Sequence, residues 1–291
     1  MKLKDIIDNK PLMKMNGCGN DFIILFDLDE KIIPEIVKKL CELHYGIGSD
    51  GLIAVTKSRI KEASYRMKFF NPDSSIAEMC GNGIRCFSKY LLDLNLIKKN
   101  EKAVFDTDAG LIQCTILENN YKQALVKVNM GEPILNDPSQ VTISTSNNGI
   151  IKGKVENFDF TFVSMGNPHA VIFTDDPQND VKKYGSTIEK NLKLFPKKTN
   201  VEFVKINNEE DLTMYVWERG AGETLACGTG ACATLVASCL NGYSKNKATI
   251  HLLGGDLFIE WNGNKQPVYM TGNAENVFKI DPDSIDNFIL S

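Results

Sequence analysis

The sequence predicts an α+β protein of two pseudo-symmetric domains, each a rolled, mostly antiparallel sheet around a central helix, with the active site in the cleft between them. Three observations lead there. The turn Cys-Gly-x-Gly occurs at Cys80 and again at Cys227, 147 positions on, and the same offset links Gly19-Asn20 to Gly166-Asn167 and Asn71 to Glu218. One spacing recurring at three polar or glycine-rich pairs marks two copies of a unit. Each Cys turn then enters a helical stretch with almost no polar face: Ile84, Cys86, Phe87, Tyr90, Leu91 and Leu92 in the first, and Ala231, Cys232, Ala233, Leu235, Val236, Ala237 and Cys239 in the second. A helix apolar most of the way round must be enclosed. Short alternating strands fill the rest of each copy and supply the enclosure.

Taken in order, Phe22–Phe26 reads as a strand after the Gly19-Asn20 turn. Pro34–Leu43 reads as an amphipathic helix with Ile36, Val37, Leu40 and Leu43 at helical spacing. Strands follow at 52–56 and 65–70, then the Cys80 turn, a helix over 83–94, and strands at 103–107, 111–117 and 124–128. The second copy has strands at 158–164, 169–173, 201–206 and 212–217, the Cys227 turn, a helix over 230–240, and strands at 248–252, 256–261 and 267–271. The polar stretch Asn136–Asn157 is read as the seam. The domains are assigned as 1–128 with 274–291, and 129–273.

Composition excludes several classes. With 43% hydrophobic and 24% charged residues over 291 positions, the chain is an ordinary globular sequence with room for two domains. A formal net charge of −4 offers no basic field for nucleic acid or anionic lipid. No apolar run reaches the ~20 residues of a membrane span, and the start MKLKDIIDNKPLMKM lacks signal-peptide character. The eight cysteines show no CxxC or Cys/His metal spacing. These features predict a cytoplasmic enzyme with free thiols and no bound metal.

The chemistry follows from the turns. Glycines at the second and fourth places let the backbone turn tightly and leave amides uncovered. A helix N-terminus carries roughly +0.5 of a charge and free N–H donors, so two of them suit a bound carboxylate. The same field favours thiolate at Cys80 and Cys227. One thiolate removes a hydrogen alpha to the carboxylate while the other thiol returns one to the opposite face, inverting the centre without pyridoxal phosphate or metal. A single such turn is most often mere packing; two in register favour function. Cys18, Cys41, Cys86, Cys114, Cys232 and Cys239 are read as small buried hydrophobes, and His44 and His251 as structural. His169, in the Gly166–His169 turn, and Glu218-Arg219, ending a strand before Cys227, are site candidates.

The segments KMNGCGNDF (14–22), YGIGSDGL (45–52), FNPDSSIAEMCGNGIRC (70–86), SMGNPH (164–169), NVEF (200–203) and ERGAGETLACGTG (218–230) resemble, in order and across nearly the whole chain, the diaminopimelate epimerase family. The resemblance implies a cofactor-independent, homodimeric epimerase that interconverts LL- and meso-2,6-diaminopimelate in lysine and peptidoglycan precursor biosynthesis. It implies Cys80 and Cys227 as the acid–base pair, tuned by His169 and Glu218. Amides of Gly81, Asn82, Gly228 and Thr229 would hold the reacting carboxylate, and Asn20, Asn71, Asn167, Asn200, Glu218 and Arg219 the remaining substrate groups. Three departures stand out: Gly51 where some members carry glutamine, the loop Pro72–Ile76, and about twelve residues before the usual start at Met13. Phe278 takes the place of a C-terminal tyrosine common at the dimer contact. The rivals are a sibling proline or hydroxyproline epimerase, which has no use for a distal anion partner such as Arg219, and a thiol redox or metal module, whose ligand spacing is absent.

Overall fold

A computed structural model describes residues 3–143, 149–263, 265–282 and 284. Residues 144–148 of the expected seam and 285–291 of the first expected domain lie outside the described residues. By internal contacts the chain divides into Met1–Val128 with Gly272–Ser291, and Asn129–Thr271.

A 3-10 turn, Leu3–Asp5, precedes β1 (Leu12–Gly17), β2 (Asn20–Phe26), α1 (Pro34–Cys41), β3 (Leu52–Thr56), β4 (Tyr65–Phe70), β5 (Ile76–Ala77), α2 (Gly81–Asp93), β6 (Lys102–Thr107), β7 (Gly110–Asn119) and β8 (Gln123–Asn129). Then come β9 (Lys152–Val155), β10 (Phe158–Ser164), β11 (Pro168–Phe173), α3 (Pro177–Glu189), β12 (Asn200–Asn208), β13 (Asp211–Glu218), β14 (Gly222–Thr224), α4 (Gly228–Asn241), β15 (Lys247–Leu252), β16 (Gly255–Trp261) and β17 (Val268–Ile280).

In the first unit β1, β2, β3, β4, β6, β7 and β8 pair in that order, with parallel steps at β2–β3 and β4–β6. β17 pairs with β8 and, over Glu275–Ile280, with β1, which closes the circuit. Helix α2 lies against β1, β2, β3 and β7 and is buried continuously from Gly81 to Leu91. Even Lys89 is fully buried, its Nζ donating to Asp93 at 3.0 Å and to Asn119 Oδ1 at 3.2 Å.

The second unit repeats the plan. β10, β11, β12, β13, β15, β16 and the start of β17 pair in order, with parallel steps at β11–β12 and β13–β15. Met130 N donates to Val268 O and Ile134 bridges Ser164, so the segment between them completes the ring. Helix α4 packs against β10, β11, β12, β13, β15 and β16.

Three details differ from the sequence reading. α1 ends at Cys41, because Glu42 takes extended backbone and the chain turns back through Gly46 and Gly48; Leu43 is therefore outside the helix and 76% exposed. α3 was not anticipated, since its apolar stripe is thin: Val181 and Ile188 are buried, and Gly185 rests on Trp217. The residues before Met13 belong to the first unit's core, where Leu3, Ile6 and Ile7 are buried with Ile36, Val37 and Leu40. No helix among the described residues is long and apolar enough to cross a membrane.

Candidate active site

Each cysteine turn is a helix start in which sulfur replaces the usual capping oxygen. Cys80 and Cys227 have extended backbone (φ −134°, ψ 122° and φ −123°, ψ 110°) and are the N-caps of α2 and α4. Gly83 N donates to Cys80 Sγ at 3.5 Å and Gly230 N to Cys227 Sγ at 3.4 Å. The first intrahelical bonds run from Ile84 N to Cys80 O and from Ala231 N to Cys227 O. A helix leaves its leading N–H groups without an intrahelical acceptor. With the third taken by sulfur, those of Gly81, Asn82, Gly228 and Thr229 are the ones such a start offers to an anion.

Around Cys80 the amide orientations are fixed by their partners. Arg85, a donor only, gives Nη2–H to Asn82 Oδ1 at 2.9 Å, so Asn82 Nδ2 faces Asn20 Oδ1 at 3.4 Å. Asn20 Nδ2 donates to the Asp50 carboxylate at 2.7 Å, leaving its Oδ1 to accept from Cys80 Sγ at 3.6 Å. Asn71 is held by a separate turn: its Nδ2 donates to Ser75 Oγ at 2.9 Å. In the Pro72–Ile76 loop that follows, Asp73 Oδ1 accepts from both Ser75 N and Ser75 Oγ. At Gly51 a Cβ would come within 2.4 Å of the Phe69 ring and 2.8 Å of Phe70 O, which excludes any longer side chain there.

Around Cys227 the network is longer. Cys227 Sγ lies 3.4 Å from Thr229 Oγ1, which accepts from Asn167 Nδ2 at 3.3 Å. Asn167 Oδ1 lies 3.0 Å from His169 Nε2, and His169 Nδ1 lies 2.7 Å from Glu202 Oε1. The register of β11 and β12 sets His169 opposite Asn200 and Val171 opposite Glu202. Both His169 and Glu202 are fully buried. Asn200 spends its amide inside the unit, donating to Pro168 O at 2.8 Å and accepting from Arg219 N at 2.9 Å. Glu218 accepts from Thr224 Oγ1 at 2.5 Å, and the exposed Arg219 reaches Lys197 O at 3.4 Å.

The chain matches the family described as diaminopimelate epimerase over residues 12–136 and 161–277. A protein named diaminopimelate epimerase from Desulfitobacterium hafniense is 46% identical over 278 residues, covering 92% of this chain and 96% of that one. One of the same name from Methanococcus maripaludis is 46% identical over 276 residues, covering 93% and 98%. This chain belongs to the diaminopimelate epimerase family. Solved structures share the fold at low identity: a hydroxyproline epimerase from Agrobacterium vitis (TM-score 0.65, 12% identity, 100% of this chain and 97% of that one) and a phenazine biosynthesis protein from Bacillus anthracis (0.63, 13%, 93% and 98%).

Membership of the diaminopimelate epimerase family does not make the two thiols alike, and two sequence expectations need correction. Cys227 is only 5% exposed. Burial, with the Glu218 and Glu202 carboxyls nearby, pushes its thiol well above the usual range, so the expected lowering by the helix field is outweighed there. The glycines also act differently from expectation. Gly83 and Gly230 lie within α2 and α4, as the expected helices placed them, but neither takes the positive φ of a tight turn. What they provide is room: a Cβ at Gly83 would meet Ile53 Cδ1 at 3.0 Å, and one at Gly230 would meet Glu202 Oε1 at 2.7 Å.

Other cysteines fit the reading as buried hydrophobes, burial holding Cys86 and Cys114 up at about 12. Cys239 departs from it: half-buried, it donates from Sγ to Lys245 O at 2.9 Å. The residue that sequence reasoning missed is Glu202. Its signal was available, since an acidic side chain between Val201 and Phe203 in a strand apolar on both faces is a buried polar group needing a partner. Burial holds its carboxyl above the ordinary range, against the pull of His169.

Proposed function

We propose that the protein interconverts LL- and meso-2,6-diaminopimelate by a two-thiol mechanism without an organic cofactor, as an enzyme of lysine and peptidoglycan precursor synthesis. The observation that carries this reading is the pair of cysteines that cap α2 and α4 with sulfur in the same way, in a chain of this family. One sulfur, as thiolate, takes the alpha hydrogen as a proton. The electron pair left on carbon delocalises into the carboxylate, which the amides of Gly81, Asn82, Gly228 and Thr229 stabilise. The other sulfur, as thiol, delivers its proton to the opposite face, so the two thiols finish with their charges exchanged. Asn20, Asn71, Asn167, Asn200, Glu218 and Arg219 bind the amino and distal carboxylate groups, and His169 and Glu218 tune the thiols. The proposal extends to a cytoplasmic homodimer. Val277 and Phe278 on β17, 55% and 42% exposed, support an apolar contact there, and sedimentation checks it.

The test is deuterium incorporation from heavy water into diaminopimelate, lysine and proline, with separation of stereoisomers. Wild type is expected to label and invert diaminopimelate alone. Cys80→Ala and Cys227→Ala are each expected to lose inversion by about 10³-fold or more, since general acid–base groups commonly contribute 10²–10⁴-fold. Near-wild-type inversion in either variant rules out the two-thiol mechanism, and labelling of proline without diaminopimelate transfers the reading to the sibling epimerase.

A further inference from the structure

We propose that Glu202 is a positioning residue for Cys227: it shares one proton with His169 as a neutral pair and so fixes a one-way chain of hydrogen bonds from His169 through Asn167 and Thr229 to the sulfur. The proposal rests on the reading of Cys227 as an acid–base thiol.

The direction of each bond follows from what its atoms can do. Asn167 Oδ1 only accepts, so His169 Nε2, 3.0 Å away, carries a hydrogen. Asn167 then presents Nδ2–H to Thr229 Oγ1. Because that oxygen is already an acceptor from Asn167, its own hydrogen is available to the sulfur 3.4 Å away. A donated hydroxyl hydrogen supports Cys227 as thiolate. With Nε2 protonated, a neutral imidazole has a bare Nδ1, and the 2.7 Å contact to Glu202 Oε1 is then made by the carboxylic acid O–H. Glu202 Oε2 is buried with no hydrogen-bond partner among the described residues. An ionised carboxylate left so would carry a heavy desolvation cost, which the neutral acid avoids. Burial raising the Glu202 carboxyl agrees with that form.

The alternative arrangement, with one proton fewer, has Glu202 ionised and a neutral His169 whose hydrogen sits on Nδ1. Nε2 then accepts, Asn167 turns over, and the Thr229 hydrogen goes to Asn167 in place of sulfur. The two arrangements thus differ in whether Thr229 can donate to Cys227. A proton merely passed from Glu202 to Nδ1 would leave Nε2 donating, and the charge it puts on Glu202 is what the glutamine variant reads. The titratable groups facing this sulfur are Glu218 on β13, Glu202 on β12 and, through the chain of bonds, His169 on β11. In the neutral arrangement Glu202 no longer opposes the thiolate by charge, while Glu218 still does.

The experiment reads Cys227 without turnover, so its outcome is separable from epimerase activity. In a Cys80→Ala background, the rate of Cys227 alkylation by iodoacetamide is followed against pH, with peptide mass spectrometry assigning the site. The thiolate is the reactive form, so the midpoint reports its ionisation. Thr229→Val is expected to raise the midpoint by about one pH unit, tenfold in rate at a fixed lower pH, the scale of one lost hydrogen bond to an ion. Glu202→Leu is expected to raise it similarly. Glu202→Gln, whose amide N–H can donate to Nδ1 as the acid does, is expected to hold it within about 0.3 unit. A fall of about one unit in Glu202→Gln would mean that Glu202 acts as a negative charge, and would overturn the neutral pair. An unchanged midpoint in Thr229→Val, or in a folded Glu202→Leu, would equally sink the proposal. If Glu202→Leu does not fold, the other two variants decide.

Discussion

Sulfur standing where a capping oxygen usually stands gives both thiols the same backbone setting and leaves side chains to make them differ. Cys80 faces the carbonyl oxygen of an asparagine whose amide end is tied to Asp50, whereas Cys227 faces a hydroxyl at the end of a buried polar chain. The repeat made the cysteines legible, because two turns in register are hard to obtain by packing alone. It hid their difference, because Glu202 and Asp50 lie outside both cysteine turns, in segments that the repeat does not single out. Arg219 belongs to the same scale. Exposed and lightly held, it is free to form a two-bond fork with a distal carboxylate. Arg219→Lys, which cannot copy the fork, is expected to cost about 2 kcal/mol or more, roughly thirtyfold in kcat/KM for diaminopimelate, without gain on lysine or proline. Steady-state kinetics on the three amino acids checks this; undiminished kcat/KM would take Arg219 out of substrate binding.

Among the elements, the strands announce themselves by alternation and several were bounded correctly from sequence, including β3, β4 and β10. The two central helices were legible as well, since an apolar helix has few places to go. Helix α3 was not, for its outer face is polar and its inner face includes a glycine. The offset between copies nevertheless carries α1 onto the same stretch. Gly185 shows why the stripe is thin: a Cβ there would lie 2.7 Å from Trp217 Cβ, an atom next to the β13 backbone that cannot swing away. Gly185→Ala is expected to push α3 off the sheet at about 1–3 kcal/mol, the usual cost of overpacking. That is a fall of roughly 3–10 °C in Tm for a unit of this size. A calorimetric scan showing no loss would mean that the helix slides freely over Trp217.

On the scale of the whole chain, duplication was legible and the manner of ring closure was not. Both rings depend on pairings between distant segments, and such register is invisible to local pattern. β17 is the clearest case. Its first residues pair with β16, five of its last six with β1, and the division between units falls inside it, after Thr271. A chain ending at Thr271 keeps the strand that completes the second unit and lacks the one that completes the first. Hydrogen exchange is expected to show loss of protection at the β1 amides that face β17, while β10–β13 stay protected. Equal protection along β1 in the shortened chain would show that this pairing is dispensable.

The 2.7 Å between Glu202 Oε1 and the place where a Cβ on Gly230 would sit has a consequence for how such a chain can change over time. A methyl group at 230 and the Glu202 carboxyl compete for one volume, so a Cβ at 230 is accommodated only if that carboxyl moves. Substituting 230 first displaces the carboxyl from His169; shortening 202 first strands the imidazole. The two are separated by 28 positions and lie on different elements, yet their substitutions cannot be additive. In a set of descendants they would vary as a pair, and the fourth letter of the second cysteine turn would be written by a strand that the turn's own sequence never mentions.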